Sequence, residues 1–239
     1  MKDTALERIL HNQGFGSRRV CRALVRNGSV AVDGQAVDDP FLTFPAEGIE
    51  LTVDGEPWVA RENVYLALNK PPGFECSRKP THHETVMSLL PAHFIERGVQ
   101  PAGRLDQDTT GPLLLSDDGA FIHATTSPKH DLEKTYIALT AAPTSQEEVD
   151  ALLSGVLLRG QEKASTAAAC RAVGSRRLEI VITEGKYHQV KRMVAAAGNR
   201  CRALHRTALG ALTLDELDLP PGEWCVLDEA QREAIFRKD

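Results

Sequence analysis

Leu6, Ile9 and Leu10 recur at helical spacing and the pattern stops at Gly14 and Gly16, which predicts a short amphipathic helix. Ser17 is then the N-cap of a second helix that runs to Asn27 and stops at Gly28. On it Val20 and Leu24 lie one turn apart and are expected to face a core. Arg18, Arg22 and Arg26 repeat at the same spacing on another face, joined by Arg19, with no acid partner one turn away. The period then drops to two. Val30 and Val32 alternate, Asp33-Gly34 is a tight-turn pair, and Ala36-Val37 returns as a second strand. The polar stretch 54–62, opening Asp54-Gly55-Glu56-Pro57, reads as a joint, so we expect domains of residues 1–60 and 61–239.

Beyond the joint, Val64-Tyr65-Leu66-Ala67-Leu68 is a buried-strand run stopped by the turn Asn69-Lys70-Pro71-Pro72-Gly73. Further strands are predicted over 113–116, 135–140 and 178–182, and helices over 145–154 and 188–197. The stretch from Lys191 through Arg206 is read as a basic helix. Loops as well as helices join the strands, which indicates an α+β domain on a largely antiparallel sheet. No internal repeat or low-complexity tract interrupts it.

A chain of 239 residues, 42% of them hydrophobic, has enough apolar surface for a small and a larger domain with packed cores. No apolar run approaches the roughly 18 residues of a membrane span. The polar start Met1-Lys2-Asp3-Thr4 lacks a signal-peptide core, so a cytoplasmic, soluble monomer is expected, with no membrane partner. Cys21, Cys76, Cys170, Cys201 and Cys225 are scattered and odd in number, as reduced thiols would be. His82-His83 has no third ligand at a recognisable spacing, so no metal is expected. The net charge of −5 argues against a uniformly basic surface, but charge is segregated. Met1 to Val30 carries six Lys/Arg against two acids, Ala31 to Glu62 eight acids against one Arg, and Gly185 to Leu214 six Lys/Arg and no acid. Local positive faces on an acidic body are what a phosphate backbone responds to.

Polar residues concentrate in Gly103-Arg104-Leu105-Asp106-Gln107-Asp108-Thr109-Thr110-Gly111, just before the apolar strand Leu113-Leu114-Leu115. Two carboxylates so close could form an acid–base pair, yet neighbours on one loop seldom oppose each other across a sugar. Turn chemistry is the simpler account, with Asp108 or Thr109 bonding loop backbone.

Two resemblances change that reading. Residues 4–37 resemble the small RNA-binding domain of the S-four type, with its Ser-Arg helix and Val-x-Val-Asp-Gly hairpin. That resemblance implies that Arg18, Arg19, Arg22 and Arg26 rest on RNA. Gly-Arg-Leu-Asp-x-Asp-Thr-x-Gly, followed by an apolar strand and Ser116-Asp117-Asp118-Gly119, resembles the catalytic loop of pseudouridine synthases. Asn69-Lys70-Pro71-x-Gly73, Lys134-Thr135-Tyr136 and Glu184-Gly185-Lys186-Tyr187-His188-Gln189-Val190-Lys191-Arg192-Met193 resemble other motifs of that family, in order. Domain order and Thr126-Ser127-Pro128-x-His130 are most similar to members acting on small-subunit (16S) rRNA.

The family resemblance implies isomerisation of a uridine in rRNA without cofactor or metal, on naked rRNA or a partly assembled ribosomal particle. Asp106 would be the catalytic carboxylate, Tyr136 a platform for the uracil, and Lys191 the cation that holds the charge of Asp106. The family more often carries Arg at that last position. Arg104 would help to extrude the nucleotide, Val190 would wall the base pocket, and Arg192 would add to the RNA contacts. Taken alone, Tyr136 would be a core-edge tyrosine and Val190 helix core. Pro112 stands where the family usually has Leu. Three functions are in play: a synthase for small- or large-subunit (23S) rRNA, a non-catalytic RNA-binding assembly protein, and a hydrolase using Asp106 with Asp108.

Overall fold

The computed structural model describes residues 3–237; Met1 and Lys2 of the polar N-terminus lie outside them. The chain divides into two compact units. One comprises the chain up to Val64 together with Leu90–Gln100, the other Tyr65–Leu89 and everything from Pro101 onward.

In the first unit β1 (Thr4–Ala5) leads into α1 (Leu6–Asn12), which buries Leu6, Ile9 and Leu10 as their spacing requires. α2 (Arg18–Arg26) is capped by the Ser17 hydroxyl, which accepts the Val20 N–H. Its buried stripe is Cys21 and Val25; Val20 is 47% exposed and Leu24 only partly covered. The expected stripe was thus off by one residue. Both pairs are apolar at helical spacing, and the free thiol of Cys21 packs as a small hydrophobe. The rotation brings Arg22 to the edge of the core, where it pairs with Glu7 of α1.

β2 (Val30–Val32) and β3 (Gln35–Ala36) form the expected hairpin about Asp33-Gly34, both at positive φ. β4 (Thr43–Phe44) pairs with β1. β5 (Glu50–Val53) and β6 (Glu56–Val59) pair about Asp54-Gly55, also at positive φ, so the stretch read as a joint is a second hairpin. Buried Leu51 and Val53 give it an apolar face that the Asp-Gly signal concealed. The sheet order is β3-β2-β5-β6. α3 (Ala92–Arg97) belongs to this unit, where buried Gln13 accepts hydrogen bonds from Trp58 Nε1, Arg61 N and Arg97 Nη1. Gly14 must be glycine: its φ is +87° and a Cβ would overlap the His93 carbonyl.

The second unit holds two antiparallel sheets. β7 (Tyr65–Lys70) and β9 (Gly111–Ser116) form the centre of one, flanked by β8 (Gln100–Pro101) and β15 (Trp224–Val226) in the order β15-β7-β9-β8. β10 (Lys134–Thr140), β11 (Ala169–Gly174), β12 (Arg177–Ile182), β13 (Cys201–Leu209) and β14 (Leu212–Thr213) form the other, in the order β11-β12-β10-β13-β14. Helices α4 (Gly119–Thr126), α5 (Gln146–Ser154), α6 (Gln189–Ala196) and α7 (Leu214–Leu217) connect strands, and α8 (Glu229–Ile235) follows the last strand. A parallel bridge, Thr110 to His205, joins the two sheets. The α+β class and antiparallel pairing agree with the sequence. The basic helix from Lys191 through Arg206 does not: α6 stops at Ala196, Gly198 turns at φ +100°, and Arg206 lies on β13. Gly198-Asn199 is the stop signal, and Leu204, Arg206 and Ala208 then alternate inward. No helix among the described residues is long and apolar enough to cross a membrane.

Candidate active site

The loop from Gly103 to Gly111 leaves β8 and enters β9 beside the bridge between the sheets, and its backbone is fastened at successive points. Leu105 N donates to Cys76 Sγ at 3.4 Å, Gly73 N to Gln107 O at 2.9 Å, and Thr110 N to Leu204 O at 3.1 Å. Beneath it lies Lys70, fully buried at the end of β7. Its ammonium donates to the carbonyls of Pro71 (3.1 Å), Gln107 (3.0 Å) and Thr109 (2.9 Å). Burial pushes the Lys70 pKa below its ordinary value, against the pull of Cys76, Asp108 and Asp106. Gly111, at φ +111°, lies so close to the Arg206 carbonyl that a Cβ would overlap it.

Asp106 is presented from this loop with its side chain 24% exposed. The first turn of α6 brings Lys191 to it: Nζ is 3.0 Å from Asp106 Oδ2 and 2.5 Å from Asp108 Oδ1. Burial works to raise the Asp108 pKa, but the hydrogen bond and charge of Lys191 outweigh it and hold the carboxyl below the usual range. Burial likewise works to lower Lys191, and the two carboxylates hold its ammonium above its ordinary value. Asp108 is therefore an ionic partner of Lys191 across the fold, a role the turn reading did not give it. His188, immediately before α6, places Nε2 3.5 Å from Asp106 Oδ1.

Tyr136 on β10 is buried and lies opposite Arg206 of β13. The Arg206 guanidinium is 6.0 Å from the Tyr136 ring centroid, with Nη1 3.5 Å from the hydroxyl. Its Nε and Nη2 both donate to the Pro112 carbonyl. Arg206 thus ties Tyr136 to the strand that leaves the Asp106 loop. Pro112 supplies no N–H there, but its carbonyl takes this fork. Sequence reasoning missed Lys70, His188 and Arg206. A lysine ending an apolar strand run and an arginine at an inward strand position were signals for two of them; His188 lay within a quoted motif, but nothing in its spacing assigned it to Asp106.

The remaining expected residues divide. Arg104 is exposed beside Asp106 on the loop. Val190 is buried in the core side of α6. Arg192 donates to the carbonyls of Tyr187 and Arg159. In the first unit Arg18, Arg19 and Arg26 are exposed on α2, whereas Arg22 is engaged by Glu7 and lies over the Phe41 ring at 5.3 Å.

The family model for RNA pseudouridylate synthase matches residues 64–196, and that for the S4 domain residues 6–40. The chain is 38% identical over 229 residues to an uncharacterized RNA pseudouridine synthase of Bacillus subtilis, with 95% of each protein covered. It is 36% identical over 227 residues to the ribosomal small subunit pseudouridine synthase A of Escherichia coli K12, covering 95% of this chain and 97% of that one. A crystal structure of a pseudouridylate synthase matches with a TM-score of 0.68 at 33% identity, over 97% of this chain and 99% of that one. With a loop carboxylate, a helix cation and a strand tyrosine carried on the matched segment, this chain belongs to the RNA pseudouridylate synthase family.

Proposed function

We propose that this protein converts one uridine of small-subunit (16S) rRNA to pseudouridine, with Asp106 as the reacting carboxylate. The observation that carries the reading is the Asp106–Lys191 pair at 3.0 Å, held on a loop fastened from below by Lys70. The small-subunit assignment is supported by the near full-length likeness to small subunit pseudouridine synthase A.

The reaction breaks the bond from ribose carbon 1′ to the uracil, turns the base, and rejoins it through carbon 5. It is redox-neutral and transfers no outside group, so acid–base and nucleophilic side chains suffice. A carboxylate at Asp106 has two routes: attack on carbon 1′, or removal of a ribose proton. Either needs an aligned carboxylate beside a cation, which Lys191 supplies. Carbon 1′ is inaccessible in a stacked helix, so the uridine must be extruded; Arg104, exposed beside Asp106, fills or prises open the gap. Tyr136 is the aromatic face for the uracil, and its hydroxyl assists loss of the carbon-5 proton to water. Val190 closes the pocket from behind, and Arg192 acts by fixing the Tyr187 backbone. Residues 1–60 grip RNA through Arg18, Arg19 and Arg26, with Arg22 shared between Glu7 and the phosphates. Residues 61–239 carry the chemistry.

The test uses transcripts of small- and large-subunit rRNA labelled with tritium at uridine carbon 5. The wild type should release tritium from the small-subunit transcript, and Asp106→Asn should lose that release by several orders of magnitude. Release from the large-subunit transcript alone would reassign the substrate. Free uracil would mean a hydrolase, and binding without release by the wild type would leave an RNA-binding protein.

A further inference from the structure

Tyr187 is 70% exposed, an unusual position for so large a ring, although a single exposed aromatic needs no explanation. Its setting does. The ring is stacked on His188 with centroids 3.8 Å apart and planes 17° from parallel. His188 has a left-handed backbone at φ +48°, uncommon for a residue with a side chain, and its Nε2 reaches to 3.5 Å from Asp106 Oδ1. Two flat rings therefore run outward in series from the carboxylate.

The segment that carries them is fastened on both sides. Lys186 Nζ lies 2.9 Å from Glu184 Oε2 and donates to Ser165 Oγ at 3.0 Å. Gln189 Oε1 accepts from Lys186 N at 2.9 Å, and Gln189 Nε2 donates to Glu184 Oε2 at 2.8 Å. On the far side Arg192 Nη1 donates to the Tyr187 carbonyl at 3.3 Å. The fold thus keeps an exposed aromatic face in a fixed place, with the Arg192 guanidinium against the backbone that carries it. An aromatic face beside a cation is how proteins hold an unstacked base and its phosphate.

We propose that the Tyr187–His188 stack is a subsite for the base of a nucleotide adjacent to the reacting uridine, with Tyr187 as its platform. The proposal rests on the reading of Asp106 as the reacting carboxylate in an RNA-modifying enzyme. Once the target uridine leaves the helix, its neighbour loses a stacking partner, and Tyr187 replaces it. The subsite is selective for single-stranded or locally opened RNA, because a base paired and stacked in a duplex offers no free face to a tyrosine.

The experiment compares Tyr187→Ala, Tyr187→Phe and Tyr187→Trp in the full chain on the same tritiated small- and large-subunit transcripts. Loss of one base–aromatic stack should raise the half-saturating transcript concentration of Tyr187→Ala about 10-fold, with the saturating rate within about 3-fold of wild type. Tyr187→Phe keeps the ring face and should match wild type. In Tyr187→Trp, emission in excess of that from Trp58 and Trp224 should be quenched by the transcript, which a merely structural role would not produce. Unchanged half-saturation in Tyr187→Ala, or unquenched excess emission in Tyr187→Trp with transcript bound, overturns the subsite. If the wild type releases no tritium from either transcript while that emission is quenched, the catalytic reading fails and, with it, the placing of the subsite next to a reacting uridine, while base stacking on Tyr187 itself stands.

Discussion

Replacing Lys191 by Met keeps the length and apolar stem of the side chain and removes its charge. In the wild type one ammonium lies 3.0 Å from Asp106 and 2.5 Å from Asp108. At 3.0 Å a unit charge pair is worth about 5.5 kcal/mol at an effective dielectric of about 20 and about 1.4 kcal/mol in bulk water. The side chains of Lys191 and Asp106 are 21% and 24% exposed, so the pair lies between these limits. An effect of about 3 kcal/mol follows, or about 10²-fold in rate if alignment of the Asp106 carboxylate is lost in the transition state. Removing the cation also leaves two like charges facing each other from one loop. Single-turnover tritium release near neutral pH should therefore fall about 10²-fold in Lys191→Met, which stays folded but melts at a lower temperature because the ion pairs are lost. Lys191→Arg, whose fork can span both carboxylates, should stay within about 10-fold of wild type. The pairing also fixes a pH signature. Asp108 is held low, so its contribution to stability is present above the ordinary carboxylate pKa of about 3.9 and lost as pH falls through the depressed value. Lys191 is held high, so its contribution is full below about 10.4 and lost as pH rises through the raised value. Lys191→Met should lack both limbs. A folded Lys191→Met enzyme within about 2-fold of wild type would refute the assignment of Lys191 to the site.

Two further outcomes follow from the structure. Ala at Arg18, Arg19 and Arg26 together should weaken RNA binding and make the slope of log affinity against log salt shallower by about 0.7 to 0.9 per lost phosphate contact. Arg22 is left in place because it holds Glu7, and equal slopes for wild type and variant would remove α2 from the RNA interface. Burial pushes Lys134 down to about 8, with the charge of Arg206 adding to the effect and Asp131 opposing it. The unfolded chain then binds more protons than the folded one from about pH 8 to about 10.4, and stability rises with pH across that window. Urea midpoints at the two ends should show the rise in wild type and a smaller one in Lys134→Met; equal rises would show that Lys134 does not titrate there.

What could be read from the chain was whatever depended on local rules. The Ser17 cap, the Asp33-Gly34 turn and the strands around residues 64–70 and 134–140 follow from positions a few residues apart, and the structure has them. Errors arose where two local patterns were equally good. Cys21 with Val25 and Val20 with Leu24 have the same spacing, and only packing against α1 selects between them. A polar Asp-Gly turn serves a linker as well as a hairpin, and tertiary pairing of β5 with β6 decided it. Arg206 was misplaced for a related reason: its charge reads as surface, and only Pro112 and Tyr136, 94 and 70 residues away, make its burial tolerable. Lys191 was legible as the partner of Asp106 through motif resemblance; the role of Lys70, itself inside a quoted motif, was not, because three backbone carbonyls that receive its ammonium leave no mark on side-chain identity.

The loop itself distinguishes its two acids and supports the proposal that Asp106, not Asp108, is the one that reacts. Residues 105, 107 and 109 are the fastened ones: Leu105 and Thr109 are buried, and the Gln107 and Thr109 carbonyls are held by Lys70. Residues 104, 106 and 108 fall between them and face outward, so Arg104 is exposed and Asp106 and Asp108 meet Lys191. Alternation of period two therefore sorts the loop into anchors and working side chains, as it sorts the two faces of a strand. Within the working set, Asp106 is the more enclosed at 24% exposure, while Asp108 is 64% exposed and screened by water. A carboxylate in the drier position interacts more strongly with both the cation and a sugar carbon brought against it. Asp108 instead completes the bridge that keeps a single-point ammonium on station, where an arginine would need no second anchor. The lysine at 191 and the acid at 108 are thus one device: removing the ammonium leaves Asp108 without its ionic partner, and removing the acid leaves the ammonium with Asp106 alone to hold it.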